Sequence, residues 1–236
     1  MTPRVLVVQH EDDDPIHLMG TWMEGVELAV CRAYDGDPVP SSIEGYDGLV
    51  VMGGAMGAHD DEKAPWLPAT RELIRLAATA SVPTLGICLG HQLCTVALGG
   101  EIQVNPNGRQ LGLLDVGWTA EAVDDELMGG LVGPRRAMHW NDDVVSRLPD
   151  GARQLATAST GEVQAARLAP TVWGIQWHPE VDDGLVAAWA TDGSLAPTEK
   201  ERVLDDLVRS RHDLDAAWRP LAQRFSTLVG VDDSLS

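Results

Sequence analysis

The stretch that most limits how this 236-residue chain can fold is Thr84-Leu85-Gly86-Ile87-Cys88-Leu89-Gly90-His91-Gln92. Four residues with a buried-strand pattern lead through Cys88 into a segment whose apolar positions Leu93, Val96 and Leu98 have helical spacing. Gly99-Gly100 then stops the helix. A strand that becomes a helix within one residue brings backbone segments close together, and Gly86 and Gly90 supply the small neighbours this needs. In a parallel sheet such a turn presents its central side chain beyond the carboxyl ends of the strands, where active sites form.

The N-terminal half repeats this alternation. Arg4 to Gln9 reads as a buried strand, Ile16 to Glu24 as a helix and Val26 to Tyr34 as a second strand. Tyr46 to Met52 is a third strand, ending in Gly53-Gly54, and Ala64 to Ala80 is a helix through Leu67, Leu73, Ile74 and Leu76-Ala77, closed by Pro83. Alternating strands and helices predict an α/β fold with a mostly parallel central sheet flanked by helices. From Glu101 to Pro179 shorter strands are expected at Ile102–Val104, Leu113–Trp118, Gln154–Thr157, Val163–Leu168 and Val172–Gln176, extending the sheet with an antiparallel portion.

The last section stands apart, so the chain divides into a body over residues 1–195 and a C-terminal helical extension over 196–236. Thr198 and Glu201 have capping-box spacing. Leu204, Leu207, Arg211, Leu214, Trp218, Leu221, Phe225 and Leu228 then recur at steps of three and four, with Pro220 expected to kink or break the helix. The preferred reading packs this stripe on the chain's own body; the alternative is a homodimer or partner-docking helix.

Composition narrows the function. The chain has 36 Asp and Glu against 17 Lys and Arg, a formal charge of −19, which disfavours nucleic acid and anionic membrane surfaces. No apolar run approaches the roughly 20 residues that span a bilayer, and the N-terminus lacks a signal-peptide layout. Three cysteines, Cys31, Cys88 and Cys94, without zinc-ligand spacing argue against disulfides and a metal site, and for the reducing cytoplasm. Cys94 lies about 240° around the helix from Cys88 and reads as buried, and Cys31 as strand core.

Three stretches carry chemistry. At the strand-to-helix turn, the helix N-terminus favours a Cys88 thiolate, and the backbone N–H of the next residue points towards a developing oxyanion. A buried, inert thiol is the ordinary alternative. In Gly174-Ile175-Gln176-Trp177-His178-Pro179-Glu180 a strand delivers a histidine with a carboxylate two residues on, a base and its orienter. The third stretch, Val51-Met52-Gly53-Gly54-Ala55-Met56-Gly57, offers backbone N–H groups after a strand, and it lacks both the lysine-bearing phosphate loop and a full GxGxxG. His91 reads as structural. His139 falls near the site without a carboxylate at the same spacing. Asp60-Asp61-Glu62 reads as a solvated charge run in preference to a lid.

In this order the three stretches resemble the class I glutamine amidotransferase family over roughly residues 4–190, and within it stand-alone domains similar to the glutaminase half of GMP synthase. The resemblance implies a flavodoxin-like architecture with Cys88 as nucleophile, His178 as general acid and base, and Glu180 as its orienter. It implies an oxyanion hole from the backbone N–H groups of Gly54 and Leu89. Substrate contacts would come from Gly53, Gln92, His139, Trp140 and Asn141. It implies hydrolysis of glutamine to glutamate and ammonia without metal or organic cofactor, with ammonia passing to a synthetase partner. One departure is Ala55, where many members carry proline, which leaves open whether the oxyanion hole is preformed. A γ-glutamyl amine or peptide hydrolase would use the same groups. A non-catalytic regulatory module and a redox-sensing cysteine protein are the remaining alternatives, and the second would not need the His-x-Glu arrangement.

Overall fold

In a computed structural model, residues 1–191 and 195–230 are described. The first half follows the expected alternation: β1 (Arg4–Gln9), α1 (His17–Trp22), β2 (Glu27–Arg32), β3 (Gly48–Val51), α2 (Leu67–Thr79), β4 (Thr84–Ile87) and α3 (Leu89–Ala97). Then come β5 (Glu101–Val104), β6 (Gln110–Asp115), β7 (Gly117–Trp118), β8 (Arg136–Asn141), β9 (Asp143–Arg147), β10 (Arg153–Thr157), β11 (Val163–Ala169) and β12 (Val172–Ile175). Helices α4 (Asp183–Trp189) and α5 (Pro197–Leu228) close the chain.

The main sheet has the order β2-β1-β3-β4-β12-β11-β10-β7. Its first five strands are parallel, and β11, β10 and β7 extend it antiparallel. Central strands β3, β4 and β12 are buried at every position, as expected for strands covered on both faces. Alternate residues feed the two sides. Val5, Val7, Val50, Leu85 and Ile87 face one core with Trp173, Trp218 and Phe225, while Leu6, Val8, Leu49 and Val51 face the other with Leu73, Ile74, Leu93 and Cys94. Cys31 and Cys94 are both buried, as the sequence predicts.

Several boundaries differ from expectation. Helix α2 starts at Leu67, three residues later than the pattern suggests, and β2 gives way at Ala33–Asp35 to a 3-10 turn. The single strand expected at Leu113–Trp118 is divided: β6 pairs with β8 in a separate ribbon, and β7 pairs with β10. Strands β8 and β9 have no counterpart among the expected elements. Arg136, His139, Asn141, Asp143 and Arg147 hide any apolar period there, and pairing with β6 and β5 makes the strands.

Helix α5 departs from its predicted caps. Ala196 is the N-cap and Pro197 takes the first helical position, where its missing N–H costs nothing, so Thr198 lies inside the first turn and forms no capping box. Pro220 does not break the helix. An interior proline costs about 3 kcal/mol or more, while buried large apolar residues contribute about 1.5–3 kcal/mol each. Trp218, Leu221, Ala222 and Phe225 are all buried around Pro220, and that packing outweighs the lost hydrogen bond. Polar contacts reinforce it: Trp218 Nε1 donates to the Arg136 carbonyl at 3.0 Å, Arg224 Nε to the Leu127 carbonyl at 2.7 Å, and Arg211 Nη1 to the Val181 carbonyl at 2.7 Å. The apolar stripe therefore faces the chain's own body. Residues 231–236 of the predicted extension lie outside the described residues. Among the described residues no helix is long and apolar enough to cross a membrane.

This packing yields a stability prediction. Trp218→Ala, at a side chain 1% exposed, should lower the unfolding free energy by about 3–5 kcal/mol. Val208→Ala on the exposed face of the same helix should change it by no more than about 0.5 kcal/mol. Equilibrium urea unfolding checks both.

Candidate active site

Strands β3, β4 and β12 run parallel in register, with Val51 beside Gly86 and Ile87 beside Ile175. The segments that follow them, Gly53-Gly54, Cys88 and His178, therefore emerge together beyond the carboxyl ends of the strands. Cys88 is the N-cap of α3 with φ 51° and ψ −108°, a backbone conformation that L side chains adopt at a cost of about 1–3 kcal/mol. Its N–H donates to the Ile175 carbonyl at 2.8 Å, which ties the turn to β12. The turn is tight enough that a Cβ on Gly90 would lie 1.9 Å from the Val51 carbonyl oxygen, and one on Gly86 2.4 Å from the Gly90 oxygen. Only glycine fits at either position.

His178 is anchored by its own backbone, whose N–H donates to the Met138 carbonyl on β8 at 2.8 Å. Its Nδ1 lies 2.7 Å from Glu180 Oε1, and both residues are buried. Pro179 between them shapes the short turn. Burial acts to lower the His178 pKa, but the Glu180 carboxylate and the Cys88 sulfur, both interacting with the ring, outweigh it and hold the ring well above its ordinary value. The sulfur, the imidazole and the carboxylate thus form a continuous chain, the arrangement required of a nucleophile, its base and the base's orienter.

Two amides support the sulfur. Gln176 Nε2 reaches Cys88 Sγ at 3.6 Å, and its Oε1 accepts from Gln92 Nε2 at 3.5 Å. Gln92 also donates to the Asp143 carbonyl at 3.3 Å. Gln92 therefore meets the site through Gln176, a residue that the sequence reading did not single out. The available signal was a polar residue directly after the apolar run Val172–Ile175 and two positions before His178.

A cavity of about 280 Å³ opens over Cys88 and His178. Gly54, Ala55, Trp140 and Trp189 line it. Of the stretch His139-Trp140-Asn141 only Trp140 reaches the cavity, because successive residues of β8 point to opposite sides. His139 is buried with Nδ1 3.2 Å from the Ala137 carbonyl, and Asn141 donates to Gln110 Oε1 and to the Asp143 carbonyl. Gly53 backs onto the imidazole: a Cβ there would lie 3.2 Å from His178 Cε1. Leu89 is buried at the start of α3. His91 is fully buried against Gly174, in line with a structural role. Asp60 and Asp61 pair with Lys63 and Arg71, as a solvated charge run does.

Three further carboxylates line the same cavity, from Glu11, Asp13 and Asp14 in the loop between β1 and α1. Among the described residues this is the group whose ligand atoms all lie within 4.8 Å of one another, close enough to share one cation. Burial pushes the Asp14 pKa up to about 7, with the His178 charge opposing and Glu180 adding to the rise. The sequence reading passed over this loop; its signal was position, directly after the carboxyl end of a parallel strand.

Two measurements follow from this geometry. Gly90→Ala forces a side-chain carbon into the Val51 carbonyl and should cost about 3 kcal/mol or more, read by thermal or urea unfolding. Burial lowers the pKa of His10 to about 4, of His91 to about 3 and of His139 to about 4, so these rings should stay neutral at pH 5, while His178, raised by Glu180 and Cys88, should keep its proton to higher pH than any of them. Imidazole ¹⁵N chemical shifts across pH 5 to 8 check the signs.

The family model described as "Glutamine amidotransferase class-I" matches residues 23–186. A glutamine-hydrolyzing GMP synthase subunit from Natronomonas pharaonis is 34% identical over 148 residues, covering 62% of this chain and 72% of that protein. Gamma-glutamyl peptidase 4 of Arabidopsis thaliana is 32% identical over 160 residues, covering 66% of this chain and 63% of that protein. The crystal structure of a glutamine amidotransferase from Methylobacillus flagellatus superimposes with a TM-score of 0.85 at 26% identity, covering 100% of this chain and 98% of the other. The matched span holds all three motifs at the ends of the sheet's parallel strands β3, β4 and β12, and on that ground this chain belongs to the class I glutamine amidotransferase family.

Proposed function

We propose that this chain hydrolyses the side-chain amide of glutamine through a thioester on Cys88. The observation that carries the reading is the buried His178, held between the Cys88 sulfur and Glu180. His178 carries the proton that it shares with the Cys88 sulfur, and that sulfur attacks the amide carbon as the thiolate. Two backbone N–H groups hold the tetrahedral oxyanion. One is that of Leu89, at the first position of α3, where a helix gives its N–H no intrahelical partner. The other is that of Gly54, whose loop lines the cavity. His178 then returns its proton to the leaving nitrogen. Water deprotonated by His178 cleaves the thioester to glutamate and regenerates Cys88. Glu180 holds the imidazole in the orientation that both transfers require. Gln176 positions the sulfur, and Trp140 walls the substrate.

The relatives named as glutamine-hydrolyzing GMP synthase subunits support a synthetase partner that receives the ammonia. A second reading, hydrolysis of γ-glutamyl amines or peptides, uses the same groups. It is favoured by the carboxylates lining the cavity and by the similarity to a γ-glutamyl peptidase.

The test is ammonia release from glutamine by the purified chain, with and without candidate synthetase partners. Cys88→Ala should abolish turnover, and Glu180→Gln should lower kcat by about 10²–10⁴ through loss of oriented proton transfer. Rapid-quench mass spectrometry should detect the γ-glutamyl adduct on Cys88. Full turnover in Cys88→Ala would overturn the nucleophile assignment, and absence of turnover on every γ-glutamyl amide would favour a non-catalytic module.

A further inference from the structure

The loop between β1 and α1 brings carboxylates to a place where the chemistry of amide hydrolysis does not call for them. Asp14 is only 7% exposed, yet among the described residues its carboxylate accepts no hydrogen bond. The cationic group that acts on it is His178, whose ring is already paired with Glu180, so a buried carboxylate without a hydrogen bond on a cavity wall points to a cation supplied from outside. Glu11 and Asp13 stand beside it, with all three offering oxygens within 4.8 Å of one another. The loop is held in place: Gln9 Nε2 donates to the Glu11 carbonyl at 2.7 Å, and Trp189 Nε1 donates to the Asp13 carbonyl at 2.8 Å.

Asp14 stands close to the ring that serves the reacting amide. The point where a Gly53 Cβ would sit lies 3.2 Å from His178 Cε1 and 3.4 Å from Asp14 Oδ1, so the two side chains flank the same spot. His178 is the proton donor to the leaving nitrogen in the proposed reaction, and Asp14 stands beside that ring with Glu11 and Asp13 on the same cavity wall. Trp140 and Trp189 meet edge to face at 5.7 Å and both line the cavity. They offer apolar and π surface to an alkyl chain that ends in a charge. Ammonia as leaving group would use none of this, and a leaving group bearing a carboxylate would be repelled.

We infer that the site takes γ-glutamyl amides whose leaving amine carries a second, positively charged amino group, an alkyl diamine or polyamine, with that ammonium held by Asp14, Glu11 and Asp13. This deepens the second reading above and rests on the Cys88 chemistry. The thiolate forms the S–C bond, His178 gives its proton to the amide nitrogen as the C–N bond breaks, and the free diamine leaves. Water then adds to the thioester carbonyl, its proton passes to His178, and the S–C bond breaks to release glutamate.

The experiment compares kcat/KM of the full chain for the γ-glutamyl amides of 1,4-diaminobutane, n-pentylamine and 4-aminobutanoate, a cationic, a neutral and an anionic leaving group of similar length. The diamine conjugate should exceed the neutral one by about tenfold or more, as a charged hydrogen bond to a desolvated carboxylate allows, and the anionic one should be slowest. Asp14→Asn and Glu11→Gln, with folding checked by thermal melting, should pull the cationic-to-neutral ratio towards one. Equal rates on all three amides would overturn the proposal and leave the hydrolase reading standing. So would an unchanged ratio in Asp14→Asn. An equal loss on all three amides in that variant would also overturn it, placing the carboxylates on the α-ammonium of the glutamyl half instead. Calorimetry of 1,4-diaminobutane with Cys88→Ala, and with Cys88→Ala combined with Asp14→Asn, reads the cation site without turnover. Binding lost only in the double variant supports the carboxylate site. If no amide is cleaved, the Cys88 reading fails whatever the calorimetry gives. Binding of Mg²⁺ or Ca²⁺ with none of the diamine would overturn the proposal in favour of a metal site.

Discussion

The close approach of β4, α3 and the end of β3 at Gly86 and Gly90 is the constraint on which the site depends. A backbone oxygen of Val51 occupies the space a Gly90 side chain would need, and the Gly90 carbonyl occupies that of Gly86. Both spaces are filled by neighbouring backbone, and the chain leaves β4 through Cys88, a residue with positive φ. The turn therefore stores local strain and gains a sulfur held rigidly at a helix N-terminus, over the mouth of the parallel sheet. The neighbouring strand ends inherit their positions from the same packing: β12 accepts the Cys88 N–H on Ile175 and carries Gln176 to within reach of the sulfur.

Around that fixed point the electrostatics are uneven. The buried histidines and Asp14 divide by what faces them. Among the described residues no anionic group acts on His10, His91 or His139, so burial keeps them neutral. His178 has Glu180 on one nitrogen and the Cys88 sulfur nearby, so it holds its proton despite burial. Asp14 has the Glu11 and Asp13 carboxylates beside it and only the His178 charge opposing, so burial drives it towards the neutral form. The same low dielectric thus shifts those three rings, the His178 ring and the Asp14 carboxyl in different directions.

The amphipathic period of the C-terminal region is legible, because Leu207, Leu214, Trp218, Leu221 and Phe225 keep helical spacing and nothing interrupts it except Pro220. Its direction of packing is not, since a stripe looks the same whether it meets the parent body or another chain. Carbonyls of Arg136 and Leu127, accepting from Trp218 and Arg224, decide for the body. Strands β8 and β9 are illegible for the opposite reason: their polar residues mask the period of two, and only long-range partners on β6 and β5 give them form.

The alternation of strand and helix, the turn at Cys88 and the pairing of His178 with Glu180 can all be read from the order of residues, because each depends on positions close together in the chain. Glycine tolerance, apolar period and a two-residue His-x-Glu spacing are local properties. Long-range packing settles which groups meet across the sheet: the Gln92–Gln176–Cys88 chain, the turn of Trp140 rather than His139 towards the cavity, and the placement of Asp14 beside His178. Gln92 and Gln176 are 84 positions apart, and Cys88 and Gln176 are 88 apart. Such contacts depend on sheet register and strand pairing, and no local pattern encodes either.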